Sequence, residues 1–366
     1  MATLSRIVVQ DFRNIALGEI SFSPNINCIS GNNGEGKTNL MDAIWYLSMC
    51  KSAFSSSDKY NFRHGTDSFS LSGTYNMDSG AVSTFSMKVT AGGEKRLRRD
   101  DKPYPRISEH IGELPIVMVS PSDTVLVSDS GEERRKFLNA VLSQLDREYL
   151  SAVQQYNRLL LQRNRLLKET DPDWSLLDVF GMRMEPLAKT IHESRKKFTE
   201  SLAPVVSKYY SMISGQKESI SIAYSSDLEG RTLSDVLLSH KDRDLVLRYT
   251  TAGVHRDDLE FTLGPHPIRR CGSQGQQKSF LVALKFAQYE IMKEGYGFPP
   301  MLLLDDVFDK LDLSRISNLL EMVAGSEFGQ IFITDSNKVR LRSIVDGITT
   351  DRAYIETVDG TFTREA

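Results

Sequence analysis

Isoleucine and valine are concentrated in short segments near the start of the chain, and glycine and proline separate these segments. The pattern predicts strands at residues 5–10, 19–23 and 25–29. After a glycine-rich turn, apolar residues recur at the three-and-four spacing of an amphipathic helix, at Leu40, Ala43, Ile44 and Leu47. Alternating apolar and small polar residues then predict an antiparallel pair and one further strand, at residues 69–76, 81–90 and 115–119.

The composition changes between residue 132 and about residue 197, where Leu, Gln, Arg, Glu and Lys dominate. An Asp-Pro-Asp sequence at 171–173 interrupts this segment and predicts a hairpin of two helices. We expect the second helix to break near Pro204 and mixed structure to resume near Ile220.

An α/β pattern returns after Leu259. It predicts a helix at 276–293, a strand at 301–304, a helix from Leu313 and a strand at 330–334. A helical insert at 131–244 is therefore expected between the two parts of one discontinuous α/β domain, residues 1–130 and 245–366.

Composition narrows the class of protein without identifying a partner. The chain has 366 residues, of which 40% are hydrophobic and 25% charged, and this excludes disordered and fibrous architectures. A net charge of −3 means that a nucleic-acid site would have to be a local basic patch. Cys28, Cys50 and Cys271 show no metal-ligand spacing, and no segment approaches the roughly 18 apolar residues of a membrane span, so we expect a reduced, cytoplasmic protein.

A glycine-rich segment matches the phosphate-loop pattern GxxxxGK followed by Ser or Thr. It consists of Gly31, Asn32, Asn33, Gly34, Glu35, Gly36, Lys37 and Thr38. The segment follows a predicted strand and opens a predicted helix, so that backbone N–H groups and the helix N-terminus can face phosphate oxygens. Lys37 is expected to reach the β and γ phosphates of ATP, and the Thr38 hydroxyl to bind Mg²⁺.

An acidic pair follows the apolar strand at 301–304. Asp305 is expected to bind the metal, and Asp306 to orient or deprotonate the attacking water. A strand that ends in a solvated acidic turn has the same pattern, and only the accompanying phosphate loop makes the catalytic interpretation strong.

A second candidate anion site precedes that strand. Ser273, Gly275 and Gln276 form a Ser-x-Gly-Gln turn at the start of a predicted helix, where a hydroxyl, backbone N–H groups and the helix dipole converge. The alternative is a serine that only caps the helix.

These segments occur in the order found in ABC-type ATPases, and the following Leu311-Asp312 pair resembles their D-loop. The sequence Phe-Arg-Asn at 12–14 resembles the DNA-repair branch of that class. More specific are SPSD at 120–123 followed by GEERRKFL at 131–138, and HRDDL at 255–259. With these segments, the chain resembles the RecF family of bacterial recombination mediators over essentially its full length.

The resemblance implies an α/β fold, namely an ABC-type ATPase head of the SMC-like kind with a mixed β lobe and an inserted helical lobe, or arm. It also implies slow ATP hydrolysis, an ATP-dependent homodimer, binding of double- and single-stranded DNA, and action with RecR and RecO in loading RecA on gapped DNA. In such dimers, Ser273 of one subunit would close over the γ-phosphate held by Lys37 of the other. Arg13 would lie near the nucleotide, and Asp335 is the candidate γ-phosphate sensor because the usual switch histidine is absent.

Three groups of charged residues each allow two interpretations. The densest basic run is Lys95, Arg96, Arg98 and Arg99, with Lys102 and Arg106 nearby; it predicts either a DNA contact or a solvated hairpin edge. For the arm cations we favour a solvated face over DNA contacts, at Arg158, Arg163, Arg165, Lys168, Arg195, Lys196 and Lys197. For the third group we favour a buried salt-bridged corner over catalysis, at His255, Arg256, Asp257 and Asp258.

Other functions fit parts of the pattern. A transporter cassette lacks this helical insert, and a chromosome-organising coiled coil has far longer arms. A DNA scaffold that binds nucleotide without hydrolysing it stays open, since many ABC ATPases have glutamate at the position of Asp306.

Overall fold

The structure is a computed structural model and describes residues 2–215, 218–307, 328–347 and 349–365. The chain divides into two compact units. The first contains the residues up to Asp123 and from Gln288 onward, and the second is Thr124–Ala287.

The described strands and helices largely follow the predicted order. The strands are β1 (Ala2–Phe12), β2 (Ile15–Ser21), β3 (Ile26–Ser30), β4 (Ser68–Met77), β5 (Val82–Thr90), β6 (Lys95–Arg99), β7 (Lys102–Pro103), β8 (Ile116–Val119), β9 (Ile220–Ser225), β10 (Asp258–Leu263), β11 (His266–Pro267), β12 (Met301–Leu304), β13 (Ile331–Asp335), β14 (Arg352–Val358) and β15 (Thr361–Arg364). The helices are α1 (Lys37–Met49), α2 (Val125–Ser128), α3 (Gly131–Leu145), α4 (Arg147–Leu166), α5 (Trp174–Ser214), α6 (Leu233–Ser239), α7 (Lys241–Leu247), α8 (Ile268–Cys271), α9 (Gln274–Tyr296) and α10 (Lys338–Val345).

The first unit contains an antiparallel sheet in the order β2-β1-β4-β5-β6-β7. Its strands bury alternate residues, because one face packs inward while the other meets solvent. In β4, Phe69 and Leu71 are buried, whereas Ser70 and Ser72 lie on the opposite, partly exposed face. This confirms the predicted antiparallel pair.

The same unit contains a second sheet in the order β15-β14-β3-β13-β12-β8, in which all neighbours except β15 and β14 are parallel. Every residue of β3, β8, β12 and β13 is buried, as expected for strands covered on both faces. Parallel strands end at the same edge, so the segments that follow β3, β12 and β13 meet there.

Helix α1 contacts both sheets of the first unit. Tyr46 packs edge-on against Phe69 of the antiparallel sheet, with ring centroids 5.3 Å apart. A Cβ atom at Gly73 would lie 2.9 Å from Leu47 Cδ1, so a larger residue there would have to displace the Leu47 side chain, and glycine permits the close approach of helix and strand. This packing holds the start of α1 at the sheet edge.

The second unit contains the predicted helical hairpin, formed by α4 and α5, together with a sheet in the order β11-β10-β9. Asp146 and Asp173 cap the two helices with their side chains. The expected break near Pro204 is wrong, since α5 continues through Pro186 and Pro204. Burial of Leu202 and Val206 keeps this part of the helix packed despite the hydrogen bond that each proline removes.

Packing groups residues 245–287 with the helical unit, because β10 pairs with β9 and contacts α3. The sequence-based prediction assigned residues from 245 onward to the ATPase domain, together with residues 1–130. It stays a prediction that these two segments share the nucleotide function. The helix expected from Leu313 and the D-loop pair Leu311-Asp312 lie outside the described residues.

Within the described part of the chain, no helix combines the length and apolarity needed to cross a membrane.

Candidate functional site

The phosphate-loop segment joins β3 to α1 at the edge where the parallel strands end. Gly34 and Gly36 have φ angles of 88° and 111°, in the region that side chains disfavour. A Cβ atom at Gly36 would also lie 3.1 Å from Asn14 Oδ1. The glycine spacing recognised in the sequence is therefore required by the loop's backbone.

Lys37 is buried and its ammonium contacts the loop that precedes it. Nζ donates hydrogen bonds to the carbonyls of Gly31 and Asn32, at 2.8 and 3.0 Å. The positive charge is thus held beside the loop's N–H groups, where an anionic phosphate would interact with both.

Glu35 forms hydrogen bonds within the phosphate loop. Its carboxylate accepts hydrogen bonds from the Asn32 backbone N–H at 2.7 Å and from Asn32 Nδ2 at 2.8 Å. A Cβ atom at Gly31 would lie 2.7 Å from Glu35 Oε2 and 2.5 Å from the Thr357 carbonyl, so this position also needs glycine.

Thr38 and Asp305 meet at the sheet edge, as predicted for a metal site. The Thr38 hydroxyl lies 3.1 and 3.0 Å from the two carboxylate oxygens of Asp305. Burial raises the pKa of Asp305, and the neighbouring Asp306 charge raises it further, while hydrogen bonds from Thr334 and Thr38 oppose the shift. A cation bound here would relieve the cost of the buried carboxylate.

Thr334 connects the two acids, and sequence analysis missed it. Its hydroxyl donates to Asp305 Oδ1 at 2.7 Å and accepts the Asp306 N–H at 2.9 Å. Asp306 itself has a φ of 44°, so this hydrogen bond fixes a strained turn. The available signal was a polar residue at the end of an apolar strand, but its importance depends on β13 lying between β3 and β12.

The donor set fits Mg²⁺. A hydroxyl and one carboxylate are hard oxygen ligands, and magnesium in nucleotide sites is commonly bound by one or two carboxylates together with phosphates. Thr38 and Asp305 are the side chains that would hold it.

The C-terminal hairpin supports the phosphate loop, which sequence analysis also missed. Gly360 N–H donates to the Glu35 carbonyl at 2.9 Å. Asp359 and Gly360 have φ angles of 48° and 76°, as in a type I′ turn between β14 and β15. The Asp-Gly dipeptide between two alternating segments was the signal that could have identified this turn.

Arg13 contacts α1 rather than the phosphate loop. It forms an ion pair with the fully buried Asp42 at 2.6 Å and donates a hydrogen bond to Ser52 Oγ at 3.0 Å. Burial raises the pKa of Asp42, and the Arg13 guanidinium opposes that shift. The neighbouring Asn14 approaches the loop, with its Nδ2 3.4 Å from the Gly34 carbonyl. A direct role of Arg13 at the nucleotide stays a prediction.

Asp335 lies at the end of β13 and is already engaged. Its carboxylate accepts two hydrogen bonds from Arg340, at 2.9 and 2.8 Å, and one from the Asn337 N–H at 2.8 Å. The contacts fix the start of α10. Sensing of the γ-phosphate by Asp335 stays a prediction.

The Ser-x-Gly-Gln turn lies in the second unit, at the start of α9 as predicted. Gln276 N–H donates to Ser273 Oγ at 3.2 Å, and Ser273 N–H donates to Gln276 Oε1 at 2.7 Å. This reciprocal pair is a capping box. Gln276 Nε2 also donates to Glu218 at 2.5 Å, and Gly275 accepts a hydrogen bond from Ser279 through its carbonyl. Serine capping is confirmed, and anion binding by this turn stays a prediction.

Two of the arm arginines expected on a solvated face are buried, so that expectation is wrong for them. Arg195 forms an ion pair with Asp257 at 2.7 Å, and Arg163 with Asp244 at 2.8 Å. Arg195 also donates to Tyr149 Oη at 3.0 Å. Composition could not distinguish these positions, because the buried face depends on how the hairpin helices pair.

The acidic corner is salt-bridged, but by different partners from those expected. Asp257 pairs with Arg195, and Asp258 accepts two hydrogen bonds from Arg134, at 2.6 and 2.9 Å. Arg256 is exposed. Burial lowers the pKa of His255 to about 4, so the ring is neutral at pH 7, and it contacts Tyr156 Oη at 3.0 Å. Among the residues that the structure describes, these two ion pairs hold the corner, and neither His255 nor Arg256 takes part in one.

A phosphate loop on a buried parallel strand, an acid at the end of a nearby strand and a flanking antiparallel sheet define an ABC-type ATPase head. Residues 3–352 match the RecF/RecN/SMC N-terminal domain family. The DNA replication and repair protein RecF of Parabacteroides distasonis is 42% identical over 357 residues, covering 98% of each chain. RecF of Flavobacterium johnsoniae is 38% identical over 346 residues, covering 93% of this chain and 96% of the relative.

Solved structures agree with the sequence relatives. The recombination mediator protein RecF in its ATP complex, from the RecFOR pathway, superposes with a TM-score of 0.90 at 28% identity, covering 100% of this chain and 98% of that one. An Smc head domain from Pyrococcus furiosus shares the fold, with a TM-score of 0.58 at 16% identity and coverage of 100% and 96%. The chain belongs to the RecF family of DNA replication and repair proteins, which confirms the resemblance.

Proposed function

We propose that this chain is a cytoplasmic, ATP-dependent DNA-binding protein of recombinational repair that works as a timed clamp. ATP joins two copies, the joined pair holds DNA, and slow hydrolysis releases it. The observation that carries the proposal is the Thr38, Asp305 and Thr334 cluster beside the phosphate loop, whose oxygen atoms suit Mg²⁺ next to a triphosphate.

Each side chain has a distinct role in this proposal. Bound Mg²⁺ would neutralise phosphate charge and orient the oxygens. Lys37 stabilises the negative charge of the phosphates, Thr38 and Asp305 bind the metal, and Asp306 orients or deprotonates water. Aspartate has a shorter side chain than the glutamate of many ABC ATPases, and this supports slow turnover.

Dimerisation completes the site in this proposal. Ser273 of one copy supplies a hydroxyl and the N-terminus of α9 to the γ-phosphate bound by Lys37 of the other. ATP then stabilises the dimer because it contacts both copies, and hydrolysis removes that differential stability.

The expected partners follow from the family. The RecF relatives are DNA replication and repair proteins, and the ATP-bound relative belongs to the RecFOR pathway. We propose that this chain binds double- and single-stranded DNA and acts with RecR and RecO to load RecA on gapped DNA. Membership of this family argues against the transporter alternative.

Sedimentation velocity with and without Mg·ATP and a short duplex tests the clamp. We expect a monomer without nucleotide, a dimer with ATP and a heavier species with ATP and DNA. Lys37→Ala should lose both ATP-dependent species. Wild-type protein that stays monomeric at saturating ATP, or that binds DNA equally without ATP, would contradict the proposal.

A further inference from the structure

The strand β6 divides the basic run between two faces of the antiparallel sheet. Lys95 forms an ion pair with Asp58 at 2.7 Å, and Arg99 with Glu113 at 3.4 Å. Arg96 and Arg98 alternate with them and are exposed on the other face. The run is therefore not one continuous patch.

The exposed face continues across neighbouring strands in register. Ser70 pairs with Lys88, which pairs with Arg96, and Ser72 pairs with Ser86, which pairs with Arg98. These six residues line a shallow cavity of about 420 Å³, and we call them the serine-arginine face. It combines cations with small hydroxyl groups.

The cations of this face are weakly neutralised. Lys88 and Arg98 have no ion pair within the described residues, and Arg96 pairs only with Glu94 at 2.8 Å in an exposed position. An exposed ion pair contributes little to stability, so Arg96 can exchange Glu94 for another anion.

We propose that the serine-arginine face binds the phosphodiester backbone of duplex DNA. This inference rests on the proposed DNA-binding function and assigns a surface to it. Arginine, lysine and serine are the side chains that contact phosphate oxygens, and they do so without reading base sequence. The opposite-face cations Lys95 and Arg99 serve the fold instead.

The shape and chemistry of the face favour this occupant. The cavity is also lined by Leu71 and Met87, which are buried, and by Val8, which is partly exposed, so a partner protein would find little apolar surface to bury there. The row that contains Lys88 and Arg96 lies about 7 Å along the strands from the row that contains Arg98, and neighbouring strands are about 4.8 Å apart. The cations are therefore regularly spaced on one surface that a phosphodiester backbone could contact. The small serine side chains leave that backbone free to approach the sheet.

A charge-matched pair of variants tests the surface. Lys88→Gln with Arg98→Gln removes two cations from the face. The control, Lys59→Gln with Lys102→Gln, removes two exposed cations elsewhere in the same unit; Lys102 pairs in register with Arg99, on the opposite face. Affinity for a fluorescent duplex of about 40 base pairs is measured with ATP at several salt concentrations, using two unrelated base sequences.

We expect the face variant to bind the duplex about tenfold or more weakly than the wild type. The slope of log affinity against log salt should become less steep by about 1.8, equally for both base sequences. The control should bind as the wild type does. Ser86→Asp, which keeps every cation but adds a carboxylate at the centre, should weaken binding in the same direction. Equal binding by face variant and control would overturn the inference.

Sedimentation velocity with ATP distinguishes a failure of the surface assignment from a failure of the proposed clamp function. The face variant should still form the ATP dimer, because none of its changes touches the phosphate loop. If the wild type dimerises and binds DNA while the face variant does the same, only the surface assignment fails. If the wild type binds no DNA, the proposed function fails.

Discussion

Thr334 donates a hydrogen bond to Asp305 at 2.7 Å and accepts one from the backbone N–H of Asp306 at 2.9 Å. One hydroxyl on β13 therefore holds the carboxylate of Asp305 and the backbone of Asp306, the two residues that follow β12. In the proposed function Asp305 binds the metal and Asp306 orients water, so we expect Thr334 to act as a positioning residue for hydrolysis.

Thr334→Val keeps the shape of the side chain but removes the hydroxyl. The Asp306 N–H then lacks its acceptor, at a cost of about 1–3 kcal/mol if it stays buried, and the pKa of Asp305 rises further because a hydrogen bond that lowers it is lost. We expect kcat for ATP to fall about tenfold or more and its pH profile to move to higher pH. Thr334→Ser, which retains the hydroxyl, should restore both, and an unchanged pH profile in the valine variant would count against positioning.

Asp305→Asn should increase the stability of the protein while weakening its binding of Mg·ATP. The folded-state pKa of Asp305 lies above its ordinary value, so folding favours the protonated form. The associated stability is present below the unfolded pKa and is lost as pH rises through the raised folded pKa. The neutral variant avoids this loss, so its advantage over the wild type should grow with pH.

Thermal unfolding without nucleotide checks this expectation. At pH 7 we expect the Asp305→Asn variant to have the higher Tm, and this difference should shrink as the pH falls toward the ordinary pKa of an aspartate, 3.8. Titration with Mg·ATP should show at least tenfold weaker binding, because the metal loses its carboxylate ligand. A lower Tm for the variant throughout this pH range would contradict the raised pKa.

Ser273 has a structural role that any test of the dimer must preserve. Ser273→Ala removes the cap of α9 and should cost about 1 kcal/mol of stability. Ser273→Asn and Ser273→Asp both retain a capping oxygen, but the aspartate repels a phosphate. We expect all three variants to bind ATP as monomers, and the aspartate variant to lose the ATP dimer although its Tm matches that of the asparagine variant. Sedimentation velocity reports the dimer, and an ATP-induced dimer of the aspartate variant would exclude the serine turn from the shared site.

Arg195 is predicted to stabilise the second unit rather than to bind DNA. Arg195→Met leaves the buried Asp257 carboxylate without its ion pair, and breaking such a pair costs about 3–5 kcal/mol. Lys197→Ala, at an exposed position on the same helix, should change stability by less than about 0.5 kcal/mol. Urea unfolding measures both. Adding Asp257→Asn to Arg195→Met should recover part of the loss, whereas a fully stable single variant would argue against a structural ion pair.

The sequence predicted those parts of the site that depend on local backbone. The glycine spacing at 31–38 identified the phosphate loop because the backbone there needs positive φ angles at Gly34 and Gly36, and Asp305 followed from the end of an apolar strand. Thr334 and Gly360 belong to the site only through the order of parallel strands, which brings together residues about 300 positions apart. Arg195 was misjudged for the same reason, since its burial depends on the pairing of two helices.

Gly360 offers a test of how far the C-terminal hairpin supports nucleotide binding. Its φ is 76°, and a Cβ atom would lie 2.7 Å from the Asn14 carbonyl oxygen, so Gly360→Ala must displace the turn from the phosphate loop. The Glu35 carbonyl then loses the donor that fixes it. We expect ATP affinity to fall about tenfold, which corresponds to about 1.4 kcal/mol.

The matched control for this variant is Gly80→Ala, in the turn between β4 and β5. Gly80 has a φ of 78°, and a Cβ atom added there would meet nothing within 4 Å, so the variant carries the same backbone strain without crowding the loop. Both variants should lose about 1 kcal/mol of stability from that strain, or somewhat more for Gly360. Calorimetric titration with ATP should separate them, because only the Gly360 variant has a disturbed phosphate loop. Equal ATP affinities in the two variants would mean that the hairpin contributes to the fold alone.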